Sequence, residues 1–559
     1  MIKEMDFTYK KGGTTLYFRE ERNALVCVDI DIEPGSKIAY FCFNKKFNVQ
    51  LRTTLKQFPW VTNLYIDKTV LDMYISNHMF PNVKKILGSS KQYSMGQNVL
   101  IKKEPGILYN AFCKKPGELI DLTGVKYIAN NAFDGCMSNN VLHPDIKTLY
   151  SVSKDTFNNF AGKLIDKNGI YYIGDLFYGI NYCANVIDMP HSNHLPARFH
   201  LSENIVNKII VHDYHPSLAK LNAKTICIAD DFCDSFIGRE ATCENFEVDY
   251  NNKYFASIEG IVYSKDKSIL VQCPGRKTGT VIIPEGTNII ANGAFSGTSI
   301  EKIVLPESVD VIKARAFWGS KISDIEFHNN SIYIKDEAFA YCQNLSKIVL
   351  PEKIKYLGNG AFKNCKNLKQ ISIPSSIRLA SDALINFDEI TIEGDEIPEN
   401  FIHAVSTNMA ASYGSCTVIH FNNGKSMCIP KYMSKYNIET ISAKISGTVS
   451  EINEHDMFHL FVYSKAGMDK YLTALLTYIV NGDSDEFTKK YLRKSCSKFI
   501  DIFAKSDKEE MFVYFIKMGF LTKKTKEKAI ALAQRKNWTI ALAYLLDSTN
   551  CNTNASFKL

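Results

Sequence analysis

From Ala338 to Pro374 the sequence reads AFAYCQNLSKIVLPEKIKYLGNGAFKNCKNLKQISIP, and this stretch decides the fold because it states one pattern twice. An Ala-Phe pair is followed by an apolar triplet and then by proline. The pair recurs at steps of 22, 22 and 23 residues, with its aromatic members at Phe295, Phe317, Phe339 and Phe362. A constant interval of this length predicts a repeat protein whose coils bury their apolar side chains against one another.

Each apolar triplet predicts a short strand, because its last two members fall on one side of a chain whose side chains alternate between faces. The triplets are Ile300, Ile303 and Leu305; Ile322, Ile325 and Phe327; Leu345, Ile348 and Leu350; and Leu368, Ile371 and Ile373. A further apolar residue precedes each Ala-Phe aromatic, or its equivalent Leu384, by five positions, at Ile290, Ile312, Ile334, Leu357 and Leu379. Stacked coils of this kind predict a curved solenoid of short β-strands.

The pattern resembles the leucine-rich repeats of the BspA-like type, whose consensus reads approximately A-F-x-x-C-x-x-L-x-x-I-x-[IL]-P, followed by an I-x-x-I-G segment. Cys342 and Cys365 occupy the cysteine slot of successive repeats, so the resemblance implies that they form a buried ladder. Cys136, three residues after Phe133, belongs to the same class. The resemblance also implies protein–protein interaction and, in exported members, adhesion to host or matrix proteins.

Weaker copies at Phe58 and Phe80 extend the repeat upstream to about residue 50. GILY from Gly106, GIVY from Gly260 and a fainter GIYY from Gly169 predict two or three β-hairpins inserted between coils on one edge. The alternating segment ALVCVDIDI, Ala24 to Ile32, predicts strands in the first 50 residues. We therefore predict an N-terminal β-rich cap over residues 1–50 and the solenoid over 51–398.

Beyond residue 398 the period ends. Short strands are predicted at Thr417 to Phe421 and at Ile438 to Ile445, within a closing region over residues 399–454. From 455 to 559 the apolar residues follow a helical period, as at Tyr471, Leu472, Leu475, Leu476 and Ile479. The segment Glu509 to Asp547 resembles ankyrin-type helical repeats without their T-P-L-H signature. The predicted fold class is thus α+β, a strand solenoid followed by an all-α helical-repeat domain.

Composition excludes several classes of protein. Hydrophobic residues make up 45% and charged residues 22%, which is typical of a folded chain and not of a disordered one. The net charge of +7 is too small for 559 residues to indicate nucleic acid by itself. The fifteen cysteines are scattered without a C-x-x-C pair, which favours reduced, buried thiols over a disulfide scaffold or a zinc ribbon.

The first residues, MIKEMDFTYKKGG, contain no apolar stretch typical of a signal peptide, and no segment has the roughly 20 apolar residues of a membrane span. The sequence therefore predicts a cytoplasmic protein without membrane insertion. Surface association is the alternative.

Five histidines fall within 25 residues, at His191, His194, His200, His212 and His215. Imidazole is a common zinc ligand, but H-x-x-H outside a helix lacks the spacing of a catalytic zinc protease. We predict polar loop histidines and no metal site or cofactor. His191, His194, His212 and His215 are the weak candidate ligands.

A basic segment runs from Lys489 to Lys536, with fourteen Lys or Arg against five Asp or Glu. Such a helical face can bind phosphate backbones or an acidic partner by counterion release. Lysines are also the usual solvent-facing side of amphipathic helices, and no nucleic-acid-reading motif accompanies them. A solvated face is the preferred interpretation.

Strand positions that point away from the core should line the concave side of the solenoid, and we call this set the strand face. Its members are Lys302, Val304, Asp324, Glu326, Lys347, Val349, Gln370 and Ser372. Varied side chains on a rigid scaffold suit recognition of a protein surface, whereas catalysis needs convergent groups with matched pKa values.

The sequence therefore predicts a non-catalytic recognition scaffold that binds a macromolecular partner, most simply a protein, through the strand face. Three alternatives stay open. The basic segment could bind nucleic acid or an acidic partner, the solenoid could serve in adhesion, or an enzyme site could lie between Leu164 and Asn251, where the repeat fades.

Overall fold

The computed structural model of the chain describes residues 6–21, 24–51, 55–112, 115–142, 149–150, 155–157, 159–174, 176–196, 204–220, 222–234, 242–409, 416–465, 467–482, 486–505 and 509–547. His200 lies outside the described residues. The chain divides into two units, Met1–Lys265 and Asp266–Leu559. The predicted solenoid extends into both of them.

The first unit is built from short strands, which in its described part are β1 (Phe7–Lys11), β2 (Thr14–Glu21), β3 (Ala24–Ile32), β4 (Ile38–Phe41), β5 (Phe47–Gln50), β6 (Asn63–Ile66), β7 (Val70–Tyr74), β8 (Lys85–Gly88), β9 (Val99–Lys102), β10 (Ile107–Ala111), β11 (Leu119–Asp121), β12 (Tyr127–Ile128), β13 (Asn140–Leu142), β14 (Ile165–Lys167), β15 (Ile170–Ile173), β16 (Leu176–Ile180), β17 (Val186–Asp188), β18 (Val206–Val211), β19 (Ala223–Ile228), β20 (Asn245–Val248), β21 (Phe255–Ile258) and β22 (Ile261–Ser264).

The N-terminal strands form an antiparallel sheet in the order β1, β2, β3, and the alternating segment at β3 is a strand as predicted. Parallel stacking begins at β3, which pairs with β5 in the same sheet, and β5 pairs with β7. In a second parallel sheet β4 pairs with β6, and β6 pairs with β8. Ala39, Leu64 and Ile86 are therefore neighbours across three successive coils, and all three are fully buried. Apolar residues inside these coils thus find their partners one coil away.

Three antiparallel insertions interrupt the parallel stacking, as the sequence predicted. They are β9–β10, β14–β15–β16 and β21–β22. Gly106, Gly169 and Gly260 lie at their turns with φ of 90°, 80° and 77°, a region that side chains with a Cβ rarely adopt. At Gly106 a Cβ would lie 2.5 Å from the Gly124 carbonyl oxygen, so this turn also needs the absence of a side chain. The parallel sheet β17–β18–β19–β20 follows the second insertion along the chain.

The second unit contains strands β23 (Ile269–Gln272), β24 (Thr278–Ile282), β25 (Ile289–Ile290), β26 (Ser299–Leu305), β27 (Val311–Ile312), β28 (Asp324–Phe327), β29 (Tyr333–Ile334), β30 (Tyr356–Leu357), β31 (Gln370–Pro374), β32 (Arg378–Leu379), β33 (Glu389–Glu393), β34 (Cys416–Phe421) and β35 (Ser426–Pro430). Its described helices are α1 (Phe401–Val405), α2 (Lys435–Lys444), α3 (Glu454–Phe458), α4 (Gly467–Asn481), α5 (Glu486–Ala504), α6 (Glu509–Lys517), α7 (Lys523–Lys536) and α8 (Thr539–Leu546).

The aromatic residues of the repeat stack on one another in this unit. From Phe295 through Phe317 and Phe339 to Phe362, the ring centroids are 4.8, 4.8 and 5.5 Å apart, with interplanar angles of 5°, 10° and 8°. All four side chains are fully buried. The Phe317 amide donates to the carbonyl of Ala338 at 2.7 Å, so the backbone joins the coils at the same level as the rings. The predicted ladder is confirmed.

Cysteines form a second column beside the rings. The Cys342 thiol donates to the Phe317 carbonyl at 3.1 Å, and the Cys365 thiol donates to the Phe339 carbonyl at 3.0 Å. Both thiols are buried and free, as the resemblance implied. The neighbouring Cys342 thiol and burial both raise the pKa of Cys365, so this thiol stays protonated near neutral pH.

Two sets of strands connect the coils of the second unit, and the pairing of β34 with β35 is antiparallel whereas the others are parallel. The first set, in the order β23–β25–β27–β29–β30–β32, aligns the apolar residues that precede the Ala-Phe pairs, namely Ile290, Ile312, Ile334, Leu357 and Leu379, and all are buried. The second set consists of two separate sheets, β24–β26–β28 and β31–β33–β34–β35.

Residues 345–350, which lie between these two sheets in the chain, form no strand, although their triplet predicts one. The triplet begins five residues after Phe295 and Phe317 but six residues after Phe339 and Phe362. The ladder of β28 ends where the spacing changes, but the coil of Phe362, which has the same six-residue spacing, forms β31.

The prediction of a strand at Ile438 to Ile445 is wrong, because α2 covers most of this segment. Ser434 caps the helix, and its hydroxyl accepts a hydrogen bond from the Asn437 amide at 3.1 Å. Ile438 and Ile441 are three residues apart, a helical spacing, and both are buried. The cap and the spacing together override the β propensity of isoleucine.

The helical tail is confirmed, and α4 covers the predicted apolar residues from Tyr471 to Ile479. Leu476 and Val480 of α4 pack on Cys416, Val418 and Cys428 of β34 and β35. Farther along, Phe499, Phe503, Phe512, Phe515 and Trp538 share one buried cluster of the tail. Among the described residues, no helix combines the length and the apolar character needed to cross a bilayer.

Candidate binding surface

The part of the strand face on β26 and β28 is a network of paired charges. Parallel register places Lys302 beside Asp324 and Val304 beside Glu326. The Lys302 ammonium lies 3.1 Å from Asp324 and 3.0 Å from Glu326, and the His328 ring lies 2.9 Å from Glu326. The hydrogen bonds to His328 and Lys302 lower the pKa of Glu326. These side chains largely satisfy one another in the free protein.

The remaining four members lie around one cavity of about 410 Å³ at the interruption between the two sheets. Lys347, Val349, Gln370 and Ser372 all line it, together with Pro374 and Glu393. Gln370 donates to Glu389 at 2.8 Å, and Ser372 donates to Glu393 at 2.5 Å. The structure thus brings half of the strand face to one concave feature, which we call the strand-face cavity.

Val349 and Lys347 differ from the rest of this cavity lining. The Val349 side chain is 67% exposed, a large fraction for an aliphatic residue. Within the described residues, the Lys347 ammonium has no hydrogen bond or ion pair. An accessible apolar group beside an unpaired cation is therefore available to a partner.

Sequence reasoning missed Ile282, which is also 67% exposed. Ile282 lies on β24 opposite Val304 in parallel register. Aligning TVIIP, Thr280 to Pro284, with the later strands would have revealed it, because it occupies the slot of Val304 and Val349. The slot therefore holds an exposed aliphatic residue in two coils, Ile282 and Val349, whereas Val304 is half-buried.

Two of the predicted histidines come together in the first unit. The ring centroids of His191 and His212 are 5.0 Å apart. Asp231 lies between them, with Oδ2 3.2 Å from His191 Nε2 and Oδ1 2.9 Å from His212 Nδ1. Burial lowers the pKa of His212, but its hydrogen bonds to Asp188 and Asp231 outweigh this and leave the pKa raised. We call His191, His212, Asp188, Asp213 and Asp231 the histidine cluster.

The other two candidate ligands are not in this cluster. His194 is exposed at the end of a short 3-10 turn, Ser192–His194. His215 is buried, with Nε2 2.9 Å from the Pro196 carbonyl, while its Nδ1 accepts a hydrogen bond from the Ser217 amide at 3.1 Å. Burial lowers the pKa of His215. Both of its ring nitrogens are therefore used within the fold.

The basic segment lies on α5, α6 and α7. Its exposed cations include Lys490, Arg493, Lys494, Lys498, Lys517, Lys523, Lys524, Lys528 and Arg535. Several stems lie over aromatic rings of the tail, as at Lys517, whose ammonium is 4.4 Å from the Tyr544 ring centroid. Such packing is the ordinary behaviour of lysine on an amphipathic helix.

Comparison with known families agrees with the repeat. A family model for the BspA type leucine-rich repeat region matches six copies in this chain, over residues 106–207 and 275–391. No curated protein resembles the sequence closely enough to match.

Several solved structures are similar to the chain. A leucine-rich cell surface protein from Faecalibacterium prausnitzii is 16% identical, with 73% of this chain and 100% of that chain covered and a TM-score of 0.32. The pneumococcal vaccine antigen PcpA is 14% identical, covering 75% and 94%, with a TM-score of 0.27. A leucine-rich repeat protein from T. pallidum is 24% identical, covering 25% and 69%, with a TM-score of 0.21. These likenesses assign no role to any residue of this chain.

Proposed function

Because the chain carries BspA-type leucine-rich repeats in both of its units, we propose that it is a non-catalytic scaffold that binds a protein partner through the strand face. Leucine-rich repeat arrays are typical binding or adhesion scaffolds, since stacked coils present an extended surface from a rigid core. The proposal assigns the contact to one side of the second unit and requires no cofactor.

The observation that carries the proposal is the strand-face cavity with Val349 and Lys347 at its rim. A cavity of about 410 Å³ is large enough to accept one or two side chains of a partner. Interfaces usually place an apolar or aromatic anchor in such a depression and surround it with polar groups. Here the surrounding groups are Gln370, Ser372 and Glu393, and Lys347 supplies a cation for an acidic group of the partner.

Replacing Val349 with arginine should weaken capture of the partner by about tenfold or more, because the long charged side chain fills the rim of the cavity and removes the apolar contact. The measurement compares proteins that co-purify with wild type and with Val349→Arg from the native cell. The dissociation constant of the identified partner is then determined for both.

Asn330→Arg is the matched control, since it introduces the same side chain at an exposed position outside the strand face. Capture by this variant should equal that of the wild type. Substitution is preferable to truncation near residue 450, because removal of α4 would uncover Cys416, Val418 and Cys428. Equal capture by wild type and Val349→Arg would contradict the proposal.

The alternative function, binding of nucleic acid or an acidic partner by the basic segment, is supported by the exposed cations on α5 and α7. The two functions differ in their response to salt. A protein that makes 6–10 phosphate contacts loses about 10³–10⁵ in affinity between 50 and 200 mM salt. Most charges of the strand face are paired with one another, so the affinity for a partner bound there should fall only slightly over this range of salt concentration.

We therefore expect the affinity for the captured partner to fall by about threefold or less from 50 to 200 mM salt. We also expect it to be unchanged in Arg493→Glu/Lys494→Glu, two exposed positions of α5. Binding isotherms at both salt concentrations test this. A steep loss with salt that disappears in the double variant would transfer the function to the basic segment.

Adhesion to host or matrix proteins is the second alternative, and its discriminating observation is where the protein is found in the cell. The main proposal places the partner and the protein in the cytoplasm. Labelling of intact cells with an impermeant reagent would distinguish the two, since only a displayed protein reacts.

A further inference from the structure

The histidine cluster lies where three successive coils of the first unit end their strands. Asp188 ends β17, His212 directly follows β18, and Asp231 is the third residue after β19. Parallel register aligns Asp188 with Ile210 and Ile210 with Cys227, so the three strand ends lie side by side. Residues distant in sequence are thereby fixed at one level of the solenoid.

The donor atoms of three of these residues already converge. His191 Nε2 and His212 Nδ1 lie 3.2 and 2.9 Å from the two carboxylate oxygens of Asp231, and one ligand atom from each residue lies within 4.8 Å of the others. In a tetrahedral zinc site with bonds of about 2.0–2.2 Å, neighbouring ligand atoms are about 3.3–3.6 Å apart. Small side-chain rotations would therefore place all three donors around one ion.

A second, independent feature orients the two imidazoles for a metal. His212 Nε2 lies 2.8 Å from Asp188 Oδ1, and His191 Nδ1 lies 3.5 Å from Asp213 Oδ2. Histidines that ligate metals almost always place their other ring nitrogen against a carboxylate or a carbonyl, which fixes the tautomer. In the metal-free protein both ring nitrogens of His212 donate, Nε2–H to Asp188 and Nδ1–H to Asp231. An ion would displace the Nδ1 proton, while the hydrogen bond from Nε2 to Asp188 keeps the ring oriented towards the centre of the cluster.

Asp213 is in turn held in place by the chain around His191. The Ser192 amide donates to Asp213 Oδ1 at 2.8 Å, and the Ser192 hydroxyl donates to Asp213 Oδ2 at 2.9 Å. Such support of an outer carboxylate is a usual part of a metal centre. The outer carboxylates are therefore positioned by the fold as well as by the histidines.

Charge and accessibility favour the same interpretation. Three carboxylates, those of Asp188, Asp213 and Asp231, converge on the two imidazoles, and a divalent cation would offset part of their negative charge. The side chains of His191 and Asp231 are 47% and 43% exposed, so an ion can enter from solvent and can keep water at a fourth position. Imidazole with carboxylate suits zinc and its neighbours in the first transition row, whereas calcium and magnesium prefer oxygen ligands alone.

We propose that His191, His212 and Asp231 bind one divalent transition-metal ion of the zinc type, with Asp188 and Asp213 orienting the imidazoles. The ion links three consecutive coils of the first unit where their strands end. This role is independent of partner binding by the strand face.

The test is titration of the full chain, freed of metal by a chelator, with zinc chloride at neutral pH under reducing conditions. Isothermal calorimetry should show one ion per chain with a dissociation constant in the micromolar range or below. Asp231→Asn and His212→Asn should each weaken binding by at least a hundredfold, and Asp188→Asn by about 10–100-fold. The thermal unfolding temperature should rise with zinc in the wild type and not in Asp231→Asn.

Two variants serve as controls. His194→Asn removes an exposed imidazole three residues from His191 and should bind zinc like the wild type. Cys233→Ser removes an exposed thiol two residues from Asp231 and should also bind like the wild type. If Cys233→Ser abolishes binding, if Asp231→Asn and His212→Asn bind normally, or if the wild type takes up no ion, the proposal fails.

The visible spectrum of the cobalt-substituted wild type gives a readout that does not depend on any variant folding. Imidazole and carboxylate ligands should give cobalt d–d bands without a thiolate charge-transfer band. A thiolate band would place the ion on cysteine and overturn the assignment.

Discussion

Phe317→Ala should lower the free energy of unfolding of the second unit by about 3–5 kcal/mol, the range for deleting a buried aromatic ring. Phe317 lies 4.8 Å from the ring of Phe295 on one side and 4.8 Å from that of Phe339 on the other, and its side chain is fully buried. Removal of the ring leaves a cavity between two faces that its neighbours cannot both fill, because the backbone bonds between coils hold them apart.

The measurement is denaturant unfolding followed by fluorescence of Trp318, in a background where Trp60 and Trp538 are phenylalanine. Trp318 adjoins the altered residue and therefore reports on the same coils. Phe317→Leu is the matched control and should cost less than about 1.5 kcal/mol, since it keeps most of the apolar volume. A loss below about 1 kcal/mol for Phe317→Ala would mean that the stacked rings do not hold the coils together.

This ladder could be predicted from the sequence because the fold repeats one local solution. Each buried residue packs against the equivalent residue of the next coil. The regular spacing from Phe295 to Phe362 therefore predicts which rings are in contact. The cysteine column follows by the same reasoning, since Cys342 and Cys365 keep a fixed offset from their rings. In a repeat protein, residues one period apart in the sequence are therefore neighbours in the structure.

Where the repeat period ends, local patterns can favour a strand or a helix, and the period no longer decides between them. The segment from Ile438 to Ile445 contains isoleucines that suit either a strand or a helix, and the choice depends on the cap at Ser434 and on burial of Ile438 and Ile441. The interruption at residues 345–350 has a similar origin. The coils of Phe339 and Phe362 have the same spacing and equivalent triplets, yet only the second forms a strand, β31, so the triplet alone does not determine where a strand forms.

Each candidate site also combines residues that the sequence predicts with an arrangement that only the structure shows. Members of the strand face could be assigned by alternation, but the cavity that groups Lys347 and Val349 with Gln370 and Ser372 exists only because the sheet is interrupted there. At the histidine cluster the sequence showed the histidines without Asp188 and Asp231. These carboxylates belong to other coils, and only the stacking of β17, β18 and β19 brings them together.

An ion pair between Asp388 and the buried Lys431 of the closing region provides the second large expected effect. The Lys431 side chain is only 2% exposed, and its ammonium lies 3.0 Å from Asp388 Oδ1. Lys369 approaches the other oxygen of the same carboxylate at 3.3 Å from a more exposed position. Burial lowers the pKa of Lys431, although the attraction of Asp388 acts to raise it. The partner therefore offsets only part of the free energy that it costs to bury the ammonium.

Asp388→Asn should therefore lower the free energy of unfolding by about 3 kcal/mol, because it leaves a buried cation without its counter-charge. This is the lower end of the range for breaking a buried pair, since the Asp388 side chain is 46% exposed and water reaches it. Lys431→Met should change stability by less than about 1 kcal/mol or raise it, because no buried charge remains. Lys369→Met, at the exposed partner, should cost about 0–1 kcal/mol.

The pH dependence of the unfolding free energy separates the contribution of the Asp388 charge from that of its packing. Burial acts to raise the pKa of Asp388, but attraction to Lys431 and Lys369 outweighs it, and the folded-state pKa is lowered. The unfolded chain therefore binds the proton first, and the contribution of Asp388, present in full above its unfolded pKa of about 3.9, is lost as the pH falls through the folded pKa. Thermal unfolding at a series of acidic pH values should show a larger loss in the wild type than in Asp388→Asn, in which only the other carboxylates contribute.

For Lys431 the sign is reversed. Its lowered pKa means that the unfolded chain binds more protons between the folded pKa and about 10.4, so the stability of the wild type relative to Lys431→Met should rise with pH across that window. If Asp388→Asn and Lys431→Met destabilise the protein equally at every pH, the two residues act through packing and not through charge.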